Sequence, residues 1–193
     1  MHAAPSEHAA VLSGRAVRTL IGGVGYRWNG DSSFGLVASD ALARERWPAG
    51  VEVADLGYGA LYVSLDLADA NPRYDRLVLL AGVARGREPG RLYRVNWTPG
   101  VYDPDDVQAR IREAGAGVVD LDHLLVIATH FGALPQDVCC LELEPLDALG
   151  GDRLSDAAAA CLGEVLTLAR TIALAPQRDT SGEPSAAAPL VAR

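Results

Sequence analysis

The chain has 193 residues, the length of one ordinary domain with tails, and 49% of them are hydrophobic, so it can bury a substantial core and is not disordered throughout. Its 25 acidic residues outnumber its 17 basic residues, which argues against nucleic acids and anionic membrane surfaces as partners because both are negatively charged. The sequence has neither an apolar run of about 18 residues nor a secretory signal pattern, so we expect a cytoplasmic protein with no membrane partner.

Short apolar runs alternate with amphipathic stretches in the first half of the chain. A glycine-rich loop follows the first run, and Asp31, Ser32 and Ser33 are natural N-cap residues for the helix after it. The run at 76–81 is apolar after its first residue, which is typical of a central parallel strand covered on both faces. The patterns predict strands at 16–22, 51–56 and 76–81, and helices at 36–46 and 60–68.

The second half continues the alternation and completes an α/β pattern. Alternating residues at 91–96, after a turn with glycine and proline, predict an edge or antiparallel strand. Further elements are a strand at 137–143 and helices at 104–114, 121–131 and 156–174. We therefore predict a three-layer α/β/α domain over 15–175, with a twisted, mainly parallel sheet of about five strands and helices on both faces. Flexible tails are predicted at 1–14 and 176–193.

Two features resemble known site motifs but fit them poorly. The loop GGVGYRWNG has Trp28 where a dinucleotide-binding loop needs a third glycine, although Asp55 has suitable spacing for a ribose ligand. A tight turn explains these glycines better. His123 and His130 would lie on one face of a helix but about 10 Å apart, too far to share a metal ion, so we expect surface or boundary histidines.

Nucleophilic catalysis has no support in the sequence. Cys139 and Cys140 are adjacent within a predicted buried strand, and no serine lies in a nucleophile elbow. Glu142 and Glu144 would point to one face at the end of that strand. Glu144 lies nearer the carboxyl edge, where open α/β sheets bind ligands, and is therefore a candidate binding residue.

Four segments, in order and spacing, resemble one family: LIGGVGYRWNGDSSFG, VEVADLGYG, RLVLLAGVARGREPGRLYRV and CCLELEPLDALGGDRLSDAA. They are similar to the hydrogenase maturation proteases, endopeptidases that trim the C-terminal extension from the large subunit of nickel-iron hydrogenases. The resemblance covers Arg15 to Ile172, nearly the whole predicted domain.

The resemblance also implies where the family recognises the nickel of its substrate. The three positions are an acidic residue in the glycine-rich turn, an aspartate ending the central strand and a histidine before the fourth helix. In this chain they fall on Ser32, Gly82 and Gly117, while Asp31 is kept beside the first of them. Tyr26 replaces the asparagine that follows the second glycine of the family's loop. The resemblance thus implies no metal ligands, no cofactor and no catalytic residues.

We therefore expect a pseudoenzyme of hydrogenase assembly that binds the large subunit or its precursor, or acts as its chaperone. Its cleft would be lined by Asp31, Ser32, Gly82, Gly117 and Glu144. Two alternatives stay open. An active endopeptidase would engage substrate nickel with His123, or with Asp120 and Asp122, whereas a small-molecule-binding module would use the space vacated at the two glycines. Because Gly82 should face the cleft, we expect it to tolerate a side chain.

Overall fold

The computed structural model describes residues 16–146 and 151–176. Its strands are β1 (Thr19–Val24), β2 (Val51–Asp55), β3 (Arg76–Gly82), β4 (Leu92–Trp97) and β5 (Asp137–Leu143). Its α-helices are α1 (Phe34–Ala43), α2 (Ala60–Asp69), α3 (Pro104–Gly115), α4 (Leu121–His130), α5 (Asp156–Ala160) and α6 (Leu162–Leu174). A 3-10 turn at Gly30–Ser33 precedes α1.

The five strands form one sheet in the order β2-β1-β3-β5-β4. All neighbouring pairs are parallel except β4 with β5, which is antiparallel. The predicted α/β class, the central position of β3 and the antiparallel edge strand β4 are confirmed. Because β3 has neighbours on both sides and helices on both faces, its apolar run is buried from Leu77 to Ala81.

Alternation along β3 divides the core into two layers. Leu77 and Leu79 pack with residues of α2 and α4 on one face of the sheet. Val78 and Leu80 pack with residues of α1 and α6 on the other face. Successive side chains of a strand point to opposite faces, so one apolar run supplies both layers. No helix in the described ranges has the length and apolar character needed to cross a membrane.

The end of the domain is tied to the sheet by a buried arginine. Arg76 pairs with Asp137 at 2.7 Å and donates to the backbone oxygens of Ile172, Ala175 and Pro176. These contacts supply hydrogen-bond donors to carbonyls in the last turn of α6 and just after it. The helix predicted at 156–174 is divided at Cys161 into α5 and α6. The tails predicted at 1–14 and 176–193 lie outside the described residues, apart from Pro176.

Candidate functional site

The 3-10 turn after β1 lies directly against the end of β3. A Cβ atom built on Gly82 would lie 2.2 Å from the backbone oxygen of Asp31 and 3.2 Å from the Cα of Ser32. The resemblance assigns nickel recognition to three positions, here called the degenerate ligand positions. The structure brings two of them, Ser32 and Gly82, side by side. It contradicts the expectation that Gly82 tolerates a side chain, because backbone already occupies the space that a Cβ would need.

A small cavity of about 120 Å³ remains at this edge of the sheet. Ser32, Gly82 and Asp120 are among the residues that line it, together with Gly25 and Tyr26. Three of the five residues expected to line the cleft do not: Asp31, Gly117 and Glu144. Ligand pockets commonly have roughly 300–1,000 Å³, so this cavity is small for a ligand. The alternative of a small-molecule module depended on enlarged space at this point, and the structure contradicts it at Gly82.

Tyr26 joins the loop after β1 to the loop before α4. Its hydroxyl donates to the backbone oxygen of Gly117 at 3.0 Å and accepts from the backbone N–H of Val119 at 2.7 Å. Gly117 has a φ of +100°, a conformation that residues with a side chain rarely adopt. A histidine at this position would therefore be strained, and the tyrosine instead holds the loop in place.

Asp31 is a structural anchor within the chain. Its carboxylate is buried and accepts from the backbone N–H of Leu146 at 2.9 Å, from that of Ser155 at 2.8 Å and from the Ser155 hydroxyl at 2.9 Å. Of the three residues expected to cap α1, Ser33 occupies the N-cap position, but its hydroxyl donates to the backbone oxygen of Gly30 and caps no helix N–H. The N-cap prediction is wrong for Asp31. Asp31 instead ties the turn after β1 to the segment that begins α5.

Glu144 fixes the loop between β3 and β4. It accepts from the backbone N–H groups of Arg85 and Gly86 at 2.8 and 2.9 Å and from the Nε of Arg87 at 3.0 Å. Burial raises the pKa of Glu144, but the hydrogen bonds from Arg87 and from the two backbone N–H groups outweigh it and hold the pKa below its usual range. Its expected role as an open ligand-binding residue is therefore corrected: its oxygens serve the chain's own loop.

The same loop carries a charge network that sequence reasoning missed. Arg85 binds both oxygens of Asp122, at 2.8 and 2.7 Å, and lies 3.0 Å from Glu142. Arg87 lies 2.8 Å from Glu142 and also binds Glu144. Two guanidinium groups thus neutralise most of the charge of three carboxylates. The signal in the sequence was the pair of arginines just after β3, across from two glutamates at the end of β5.

His123 is buried, with 6% of its surface exposed, so the surface position allowed by the sequence is wrong, although the two carboxylates that bind it are about half exposed. Its Nδ1 lies 2.8 Å from both carboxylate oxygens of Asp120, and its Nε2 lies 2.8 Å from Glu113. Asp120 also caps α4 by accepting from the backbone N–H of His123. Both ring nitrogens are therefore engaged by carboxylates of the protein, one on α3 and one at the start of α4.

These residues do not assemble a metal centre. Across 16–146 and 151–176, no three His, Cys, Asp or Glu side chains come together in a way that could hold an ion. Asp120 and His123 contact each other, whereas both oxygens of Asp31 are bonded to Leu146 and Ser155. Asp122 is bonded through both oxygens to Arg85. Of the three ligand positions that the resemblance implies, only Ser32 carries an oxygen donor in its side chain.

The protein is a three-layer α/β/α domain with a mainly parallel sheet. A small cleft lies at the carboxyl ends of β1 and β3. The domain's fold is that of the hydrogenase maturation proteases, and the family resemblance of its motifs is confirmed. It is similar to a hydrogenase 2 maturation peptidase from a Thaumarchaeota archaeon, with 27% identity, a TM-score of 0.57 and coverage of 82% of this chain and 99% of the other.

Two further solved structures share the fold at lower identity. The hydrogenase maturating endopeptidase HybD from E. coli has 18% identity and a TM-score of 0.60, with coverage of 81% of this chain and 91% of the other. The NiFe hydrogenase maturation protease HybD from Thermococcus kodakarensis has 16% identity and a TM-score of 0.55, with coverage of 81% and 99%. No protein-family model and no curated protein matches the chain at a significant level.

Proposed function

We propose that this protein acts in the maturation of nickel-iron hydrogenases as a non-proteolytic binder or chaperone of the large subunit or its precursor. The fold supports the pathway, because it matches a maturation peptidase along 82% of the chain. The structure of the degenerate cleft supports the absence of proteolysis.

The observation that carries the proposal is the state of the three ligand positions. Carboxylate and imidazole groups suit a divalent ion such as nickel, whereas a serine hydroxyl is a weak neutral donor and glycine offers no side-chain donor. Gly82 is moreover closed by the backbone of Asp31, whose oxygen lies 2.2 Å from the position that a Cβ would take. Recognition of substrate nickel by the family's ligand set is therefore not available to this chain.

Hydrogen bonds between distant segments order the loops around the cleft, although the family's metal-ligating side chains are absent from it. Asp31 anchors the segment before α5, Tyr26 bridges to the loop before α4, and Glu144 fixes the loop after β3. Each contact joins segments far apart in sequence and thereby orders the edge of the sheet. A preorganised surface of this kind suits binding, because little conformational freedom is lost when a partner docks.

The test combines binding and cleavage in one mixture. The purified protein is incubated with nickel-loaded large-subunit precursor, and samples are followed by size-exclusion chromatography and by mass spectrometry of the precursor. We expect co-elution with no change in precursor mass. A catalytically active maturation protease acting on the same precursor is the positive control. Time-dependent loss of the C-terminal extension would establish an endopeptidase, and absence of co-elution would refute the binder.

The active endopeptidase alternative receives no specific support from the geometry. It required His123, or Asp120 with Asp122, to engage substrate nickel. Both nitrogens of His123 lie 2.8 Å from protein carboxylates. The Asp122 carboxylate is bound through both oxygens to Arg85, at 2.8 and 2.7 Å. Nickel binding would have to break these pairs first.

A further inference from the structure

A second and larger cavity lies beside the degenerate cleft. It occupies about 440 Å³ between the loop after β1 and the loop after β2, a volume typical of ligand pockets. Its lining residues are Tyr26, Arg27, Trp28, Leu36, Asp55, Gly57 and Tyr58. Tyr26 also borders the smaller cavity, but none of the three degenerate ligand positions lines this one.

Three aromatic rings that are exposed to solvent line this cavity, which we call the aromatic pocket. Trp28 is 75% exposed, Tyr58 50% and Tyr26 39%. Trp28 also has a φ of +55°, in the left-handed region that large side chains rarely adopt. The Trp28 side chain is therefore largely unpacked, although its backbone conformation is strained. Such a cluster of exposed aromatic residues is typical of a surface that binds a partner.

The charged residues that line the pocket are Arg27 and Asp55, and two further carboxylates, Asp40 and Asp66, are bonded to lining residues. Arg27 binds both oxygens of Asp40, at 2.8 and 3.1 Å, and an oxygen of Asp55 at 2.6 Å. The hydroxyl of Tyr58 donates to Asp66 at 2.6 Å. The hydrogen-bonded cluster of Arg27, Asp40 and Asp55 thus has two carboxylates to one guanidinium group. The bonded cluster carries an excess of negative charge.

The pKa shifts of Asp40 and Tyr58 also favour a negative charge beside the pocket. The hydrogen bond from Arg27 lowers the pKa of Asp40, so that carboxylate stays charged. Burial and the hydrogen bond to Asp66 raise the pKa of Tyr58, so the phenol stays neutral. The guanidinium of Arg27 is already shared between two carboxylates, which leaves an anionic guest no bidentate partner. An anion is therefore a poor occupant of this pocket.

A cation fits both the aromatic lining of the pocket and the carboxylates beside it. Ammonium and guanidinium groups bind the faces of Trp and Tyr rings, and nearby carboxylates strengthen that attraction. We infer that the aromatic pocket binds a lysine or arginine side chain presented by a partner polypeptide. The formal net charge of −8 on the whole chain also attracts a basic partner surface. The inference does not depend on the proposed function, since it concerns a different cavity with different chemistry.

Protein-observed NMR with short blocked peptides tests the inference. The probes are glycine tripeptides with arginine or lysine at the centre, and the matched controls carry glutamine or glutamate there. We expect the basic peptides to shift the indole N–H resonance of Trp28 and the amide resonance of Gly57 saturably, and the shift to weaken with added salt. Equal binding of the glutamine or glutamate peptide, or no binding of either basic peptide, would overturn the inference.

Variants of the full chain locate the site. Trp28→Gly removes a ring and suits the positive φ, so the fold is retained, and we expect the affinity for the arginine peptide to fall about five-fold. The amide of Gly57 reports binding in this variant. Tyr62→Ala is the matched control, because Tyr62 is 65% exposed but does not line the pocket. Unchanged affinity in Trp28→Gly, or an equal loss in Tyr62→Ala, would refute the assignment.

Discussion

The degenerate cleft and the aromatic pocket are neighbours on one edge of the sheet, yet their side chains are used in opposite ways. Around the cleft, Asp31 and Glu144 do not line the cavity but are buried and bonded to the chain's own backbone. In the pocket, Trp28 and Tyr58 project into solvent. The polar side chains beside the cleft therefore serve the structural framework, while the adjoining loop presents exposed aromatic rings.

The largest effect should come from filling the cleft at Gly82. Gly82→Ala is expected to lower the free energy of unfolding by about 3 kcal/mol, because overpacking against a backbone oxygen has no flexible side chain to relieve it. Chemical denaturation measures the change. Gly163→Ala is the control: nothing lies within 4 Å of its Cβ position in α6, so it should be neutral or stabilising. A Gly82→Ala protein as stable as the parent would show that the cleft is open after all.

Glu144→Gln should weaken the framework and alter its pH dependence. At neutral pH we expect a loss of about 2 kcal/mol, since hydrogen bonds to a charged acceptor are lost or weakened. The folded pKa of Glu144 is lowered, so its stabilisation is present above the unfolded pKa and is lost as the pH falls through the folded value.

Denaturation from neutral pH to below the usual glutamate pKa tests this. The parent should lose stability toward acid more steeply than Glu144→Gln does. Glu164→Gln is the control, because Glu164 is exposed in the first turn of α6. Parallel pH profiles for the parent and Glu144→Gln would show that this carboxylate does not stabilise the loop.

Removal of one hydroxyl should loosen the cleft without unfolding it. Tyr26→Phe loses the hydrogen bonds to Gly117 and Val119, and we expect a destabilisation of about 1 kcal/mol. Faster amide hydrogen exchange at Val119 is the local measurement. Tyr62→Phe should change neither quantity. Unchanged exchange at Val119 in Tyr26→Phe would mean that the tyrosine does not hold this loop.

The smallest effect on stability should come from the aromatic pocket. Trp28→Gly is expected to leave the free energy of unfolding unchanged or to raise it by up to about 1 kcal/mol, because a positive φ strains tryptophan and not glycine. Thermal and chemical denaturation both measure it. A loss of more than about 1 kcal/mol would show that the exposed ring packs on the fold and would erase the contrast with the cleft.

Most of the architecture follows from patterns within the sequence. The strand predicted at 137–143 matches β5, and the apolar run after Arg76 indicated the central strand. These predictions succeed because side-chain periodicity reports which faces of a local segment are buried. The break between α5 and α6 was missed, because an Ala- and Leu-rich stretch has the same local pattern on both sides of Cys161.

The family's ligand positions were also assigned from the order of the motifs, and the structure brings Ser32 and Gly82 together at the end of β3. The roles of individual polar residues were harder to predict. Asp31 looked like a helix cap, and His123 looked like a surface residue, because neither position reveals its partner. The carboxylate that binds Nε2 of His123 comes from Glu113 on another helix.

The sequence by itself determined the order of helices and strands and the mainly parallel sheet, since both depend on residue type and local spacing. Tertiary structure decided which polar residues are bonded to each other. Asp31 meets Ser155 across 124 positions, and Arg85 meets Glu144 across 59. Burial of a carboxylate is tolerated only where hydrogen-bond donors converge on it, and that convergence arises only when distant segments pack together.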